Sequence, residues 1–281
     1  MVRGLALLAL TAALGVAVAT QAPAAAREPA VLIIGDSVAT GMSWDDAAIA
    51  AAQKNLAVQW QVAVCRTVAG TSCPFDGERP PTMLDVIHTL GSVPPIVVVV
   101  VGYNDPAQTF ADDVDSALTA LTASGARHVL WLTLRAARPT YAALNQVLHQ
   151  ATARWPALEL VDWDGFSASH PEWFQSDGVH LLSAGGLAMA HLIHASIFRI
   201  VDPLRVVTPL RLRDGRTYSL RLRAQGGTAP YTWRVESGRP PRGFHLRSDG
   251  DVSARPRQPA SFRVVVTDAD SATADARVVV R

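Results

Sequence analysis

Three short stretches hold the residues best suited to chemistry. Residues 31–34, all aliphatic, run straight into Gly35-Asp36-Ser37, which sets a hydroxyl just past an apolar strand. Far downstream, Asp177-Gly178-Val179-His180 places a carboxylate three residues before an imidazole. Between them, the valine run 97–101 ends in Gly102-Tyr103-Asn104-Asp105. Serine, histidine and aspartate are the parts that activate a hydroxyl nucleophile, and an asparagine amide is a suitable donor to an oxyanion. A base must reach the hydroxyl and be oriented by a third group. The three-residue spacing lets Asp177 fold back onto His180 Nδ1 if the turn is tight, and Gly178 permits that.

Each stretch also has a plain structural reading. Gly35-Asp36-Ser37 could be an ordinary strand-to-helix turn with Ser37 as a cap. Asn104 could stabilise its loop ahead of Pro106 through an Asx turn. Seven further histidines exist; His170, before Pro171, is the rival base, whereas His191 and His194 sit in a helical pattern. Context decides for the chemical readings. Ser37 and Asn104 both follow strands that are apolar on both faces, as buried parallel strands are, and functional loops gather at the carboxyl ends of such strands.

The elements that must position these residues alternate. Strands are expected at 30–34, 58–64, 96–101, 129–134 and 158–162, and helices at about 44–55, 82–91, 107–124, 139–154 and 183–199. That alternation predicts a three-layer α/β fold on a parallel sheet. After Asp202-Pro203 the helical pattern stops. Alternating segments at 217–223, 231–236, 261–267 and 276–280 are separated by turn signals such as Asp214-Gly215, Gly226-Gly227, Pro240-Pro241 and Asp249-Gly250. A small all-β sandwich is expected there.

The serine, asparagine and aspartate–histidine blocks, in this order and strand context, resemble the SGNH (GDSL-type) hydrolases over residues 29–202. The resemblance implies Ser37 as nucleophile, His180 as base, Asp177 as its orienting group, and Asn104 with the Ser37 N–H as oxyanion donors. It implies no cofactor and no metal. Tyr103 replaces a smaller residue common at its position and is expected to wall the acyl pocket. The family's second block supplies a glycine N–H after the second strand. Here that strand ends Ala63-Val64-Cys65-Arg66, with no glycine before Gly70, so the Cys65, Arg66 or Gly70 N–H is left for the role. Residues 206–281 resemble the Ig-like repeat of bacterial surface proteins, from Tyr231-Thr232-Trp233 through Pro240-Pro241 and Ser248-Asp249-Gly250. Ala254 stands where that repeat usually has a glycine.

Composition bounds the remainder. The chain has 281 residues, 49% hydrophobic and 17% charged, enough to form packed cores, and its net charge of +1 with no basic stripe argues against a nucleic-acid partner. Arg3 and the apolar stretch 5–18, followed by Ala17-Val18-Ala19 or Ala24-Ala25-Ala26, give residues 1–26 the pattern of a signal peptide. The mature protein is therefore expected outside the cytoplasm, with no stable membrane insertion and as a monomer. In an oxidising compartment Cys65 and Cys73, the only cysteines, are expected to form a disulfide. A hydrolase region of about 170 residues leaves little room for a lid. An open cleft favours short acyl groups on a polysaccharide or cell-wall glycan over buried long-chain lipid. Two alternatives to hydrolysis are acyl transfer to a glycan hydroxyl and a non-catalytic adhesion role on the same scaffold.

Overall fold

The computed structural model describes residues 28–208, 210–269 and 271–281. The expected signal segment lies outside the described residues.

Five parallel strands, β1 (Ala30–Gly35), β2 (Ala57–Val62), β3 (Ile96–Val100), β4 (His128–Leu132) and β5 (Leu158–Val161), form one sheet in the order β2-β1-β3-β4-β5. Helices α1 (Ser37–Ser43), α2 (Asp46–Gln53), α3 (Met83–Leu90), α4 (Phe110–Ala123), α5 (Pro139–Thr152), α6 (Trp163–Ser167) and α7 (Ser183–Val201) connect and cover it. One group, α1, α2 and α7, packs together; α3, α4 and α5 form another. Every residue of β3 is buried, so both sheet faces are covered, as the unbroken valine run implies. The parallel α/β architecture read from the alternation is the one observed.

The strand order matters for function. The chain leaves β1 toward β2 on one side and later returns through β3 on the other. The carboxyl ends of β1 and β3 therefore flank the point where the winding reverses, the place where open α/β sheets carry their sites. Ser37 and Asn104 follow those two ends.

Helix α1 is absent from the helical periodicity. Its seven residues include Gly41 and β-branched Val38 and Thr40, a composition with little intrinsic helix preference. It forms because Asp36 caps it, accepting from Val38 N–H at 3.0 Å, and because Val38, Ala39 and Met42 are fully buried. The turn into it is tight: a Cβ on Gly35 would stand 2.1 Å from Ala39 Cβ. The apolar helix α7 docks by Met189, Ala190, Ile193 and Ile197, all without exposure.

Beyond α7 the described residues form strands joined by turns. Strands β6 (Arg205–Val206), β7 (Arg211–Leu212), β8 (Tyr218–Arg221), β9 (Ala224–Gln225), β10 (Thr232–Gly238), β11 (Phe244–Leu246), β12 (Asp251–Ala254), β13 (Ala260–Thr267) and β14 (Thr273–Val280) make three sheets. Their orders are β10-β13-β14-β7, β11-β12-β8 and β6-β9. Trp233, Val252, Phe262, Val264 and Val278 unite them in one core, separate from the core around the five-stranded sheet. Because each part owns its core, residues 28–204 are expected to fold alone, and to keep at least half of any activity the full chain shows on small esters. Comparing the truncated and full proteins on 4-nitrophenyl acetate tests this. Loss of that activity with the fold retained would mean that the β region shapes the site.

Candidate active site

The segment before α7 is folded into a compact turn. Phe174 and Leu181 form an isolated antiparallel bridge, Gln175 N–H donates to His180 O at 2.7 Å, and Gly178 N–H donates to Gln175 O at 2.9 Å. Gly178 stands at φ 72°, where a side chain would be strained. Arg135 secures the turn from outside: its guanidinium donates to Gly178 O at 2.8 Å and lies 4.0 Å over the Phe174 ring. Arg135 had no signal in the sequence, because its partners are distant along the chain.

This turn brings the carboxylate back onto the imidazole. Asp177 Oδ2 lies 2.5 Å from His180 Nδ1, and Asp177 Oδ1 accepts from Val179 N–H at 2.9 Å and His180 N–H at 3.1 Å. Partial burial pushes the Asp177 carboxyl up, but the His180 ring and the two backbone N–H groups outweigh it and hold the group below its ordinary range. With Nδ1–H directed at Asp177, His180 Nε2 is the acceptor for the Ser37 hydroxyl, 3.0 Å away. Serine, imidazole and carboxylate thus stand in one hydrogen-bonded chain, an arrangement able to move a proton off a hydroxyl. His170 is engaged elsewhere. Its Nδ1 is 2.8 Å from Glu172 and its ring stacks on Trp173 at 3.9 Å.

A carboxylate overlooked in the sequence lies beneath the serine. Asp36 is fully buried; besides capping α1 it accepts from Tyr103 N–H at 3.4 Å, joining the serine turn to the loop after β3. Burial raises its pKa to about 6, while the backbone N–H groups of Val38, Tyr103 and Gly102 pull it back. Tyr103 is half-buried against the main core; its hydroxyl accepts from Arg135 N–H at 2.7 Å and its ring meets Tyr141 edge-on.

The loop after β3 is tied to the loop after β2. Asn104 Nδ2 donates to Arg66 O at 3.1 Å, and Asp105 Oδ1 accepts from Val68 N–H at 2.8 Å. The buried Arg66 guanidinium donates to the carbonyls of Pro81, Gln61 and Gly35, fixing the β2 loop to the end of β1. Cys65 and Cys73 are disulfide-bonded, with Cα atoms 5.1 Å apart, and Cys73 Sγ is 4.0 Å from Asn104 Oδ1. Cys65 stands at φ 71°, a conformation that favours glycine. Gly70, at φ 72°, is exposed.

Burial raises the Asp105 pKa to about 7, and Asp105 Oδ2 has no hydrogen-bond partner among the described residues. An acid whose pKa is higher folded than unfolded holds an extra proton in the folded state, so stability falls as pH climbs through that window. For Asp36 and Asp105 the window runs from their ordinary 3.8 to about 6 and about 7. The melting midpoint is expected to fall between pH 4 and pH 8. Asp105→Asn keeps an acceptor for Val68 N–H and removes the charge, so it should stabilise the protein at pH 8 by roughly 2–4 kcal/mol and flatten the decline. Urea denaturation at pH 4.5 and pH 8 measures both; an unchanged slope in Asp105→Asn would refute the assignment.

No family model matches the chain. The O-acetyltransferase OatA of Staphylococcus aureus (strain NCTC 8325 / PS 47) is 34% identical over 73 residues, 26% of this chain. The match spans 12% of that relative's length. Among solved structures, the C-terminal catalytic domain of Streptococcus pneumoniae peptidoglycan O-acetyltransferase A superimposes with a TM-score of 0.46 at 23% identity, over 59% of this chain and 90% of that one. Est24, a carbohydrate acetylesterase from Sinorhizobium meliloti, gives 0.45 at 17% identity, over 60% and 98%.

Proposed function

We propose that this protein is an exported serine esterase of SGNH type, acting on short acyl esters carried by a carbohydrate. The observation that carries the reading is the relay itself, with Ser37 Oγ 3.0 Å from His180 Nε2 and Asp177 2.5 Å from Nδ1. Ser37 Oγ attacks the ester carbonyl carbon as His180 takes its proton, and the imidazolium rests against Asp177. The tetrahedral intermediate expels the alkoxide, which receives the proton from His180, leaving an acyl group on Ser37. Water then gives a proton to His180 as its oxygen attacks the acyl carbon; the second tetrahedral intermediate breaks the bond to Ser37 Oγ, which takes the proton back from His180 as the acid leaves.

The oxyanion forms beside the first turn of α1, where the Ser37 N–H and the second Asn104 amide hydrogen are donors. Of the three candidates in the β2 loop, the Cys65 N–H is favoured. Arg66 N–H is engaged with Ala63 O at 3.4 Å, and Gly70 is exposed several residues further on. Cys65 lies two residues past Ala63, whose N–H bonds Gly35 O at 3.1 Å, and takes the backbone conformation of a glycine. The half-buried Tyr103 is assigned to the acyl pocket wall. Residues 29–202 form the catalytic domain in this reading and 206–281 an Ig-like domain.

Transfer to a sugar hydroxyl in place of water is the second reading, favoured by the 34% identity to an O-acetyltransferase. The steps are the same, with the acceptor hydroxyl attacking acyl-Ser37. A fluorophosphonate probe followed by peptide mapping is expected to label Ser37. Product analysis with 4-nitrophenyl acetate and added oligosaccharide separates acetate release from acetylated sugar. Failure to label Ser37 together with absence of both products would refute the reading.

A further inference from the structure

Five large hydrophobic side chains are well exposed among the described residues, and two of them border one cavity. Trp44, 73% exposed, caps the carboxyl end of α1; Leu182, 48% exposed, precedes α7. The cavity between them, about 320 Å³, has Asp45, Asp46 and Ser183 as polar lining beside Ala47, Leu181 and two glycines. An isolated exposed side chain needs no explanation, but an indole and a leucine converging on a carboxylate-lined hollow do.

The hollow lies between the two elements that carry the proposed chemistry and the start of α2. Trp44 follows the seven residues of the helix that begins at Ser37, a rise of about 10 Å at helical spacing. Leu182 is two residues past His180, in a segment pinned by its N–H bond to Trp173 O at 2.8 Å. Asp45 is committed as the cap of α2, accepting from Ala47 and Ala48 N–H at 2.9 and 3.1 Å. Asp46 is exposed and carries oxygens able to meet a ligand; the exposed Ser183 hydroxyl is directed at the Asp45 carboxylate, which the Ala48 N–H and this hydroxyl hold below its ordinary pKa, and keeps lone pairs that can accept.

An aromatic face beside carboxylate and hydroxyl oxygens suits one ligand class well. The C–H face of a pyranose packs on the negative face of an indole, and its ring hydroxyls donate to carboxylates. An acyl chain has no use for the acidic lining, and an anionic lipid surface is repelled by it. We infer that the Trp44 cavity is a sugar-binding subsite, holding one pyranose ring of the glycan whose ester or acceptor hydroxyl lies at Ser37. The inference rests on the hydrolase reading for its purpose, but its binding test does not.

The test uses the full exported chain carrying Ser37→Ala, titrated with xylopentaose and with chitopentaose by calorimetry. At least one of these sugars is expected to bind, at least tenfold more weakly when Trp44→Ala is added, with Trp44→Phe recovering most of the loss. In the protein with Ser37 intact, Trp44→Ala is expected to lower kcat/KM on the corresponding acetylated oligosaccharide at least tenfold relative to 4-nitrophenyl acetate, mainly through KM. Binding of neither sugar, binding indifferent to Trp44, or an equal loss on both esters would overturn the subsite. Absence of turnover on any ester, with Trp44-dependent sugar binding retained, would overturn the hydrolase reading and leave the subsite standing.

Discussion

Ser37→Ala is expected to lower ester turnover at least about a thousandfold while leaving the melting midpoint within a few degrees of wild type. The size follows from the relay acting as a unit: without the hydroxyl, His180 has no proton to take and no acyl-enzyme forms. The fold should survive because the cap of α1 is Asp36, not Ser37, and the helix is held by the buried Val38, Ala39 and Met42. His180→Ala should fall to a similar level. Asp177→Asn should retain more activity than His180→Ala, since the carboxylate orients and stabilises the imidazolium without carrying the proton. Initial rates on 4-nitrophenyl acetate for the three variants, each checked by circular dichroism, give the ranking. Near-normal turnover in Ser37→Ala would sink the whole functional reading.

The arrangement of this site was legible in the sequence where it is local, and hidden where it is not. Asp177 and His180 meet through a three-residue turn, so their pairing could be read from spacing and Gly178. The buried strands β1 and β3 were legible because unbroken aliphatic runs have few other uses in a chain of this composition. The framework beneath the site joins residues far apart in sequence. Asp36 reaches Tyr103, Asp105 reaches Val68, and Arg66 reaches Gly35, and no periodicity connects such pairs. Helix α1 was missed for a different reason: it is stabilised by burial and a cap, and a pattern-based reading weighs neither. The asparagine at 104 illustrates a mixed case. Its position after β3 was clear, but its bond to Arg66 O, which ties the β3 loop to the β2 loop, required the fold.

The second large effect concerns that tie. Left-handed backbone costs a residue with a Cβ about 1–2 kcal/mol, so Cys65 at φ 71° needs something to hold it, and the bond to Cys73 is the available constraint. If the Cys65 N–H is an oxyanion donor, losing that constraint should act on the transition state more than on substrate binding. Cys65→Ser with Cys73→Ser is expected to lower kcat about ten- to a hundredfold with little change in KM, and to destabilise the fold by about 2.5 kcal/mol. A structural clip alone would lower the melting midpoint and leave kcat where it was. Cys65→Gly with Cys73→Ser separates the two accounts further. Glycine takes the same backbone conformation without penalty and needs no bridge to stay there, so it should restore most of kcat without restoring the melting midpoint. If the glycine variant is as slow as the serine variant, the donor is not Cys65. If thiol titration of the exported protein finds both cysteines free, the constraint must come from elsewhere in the loop.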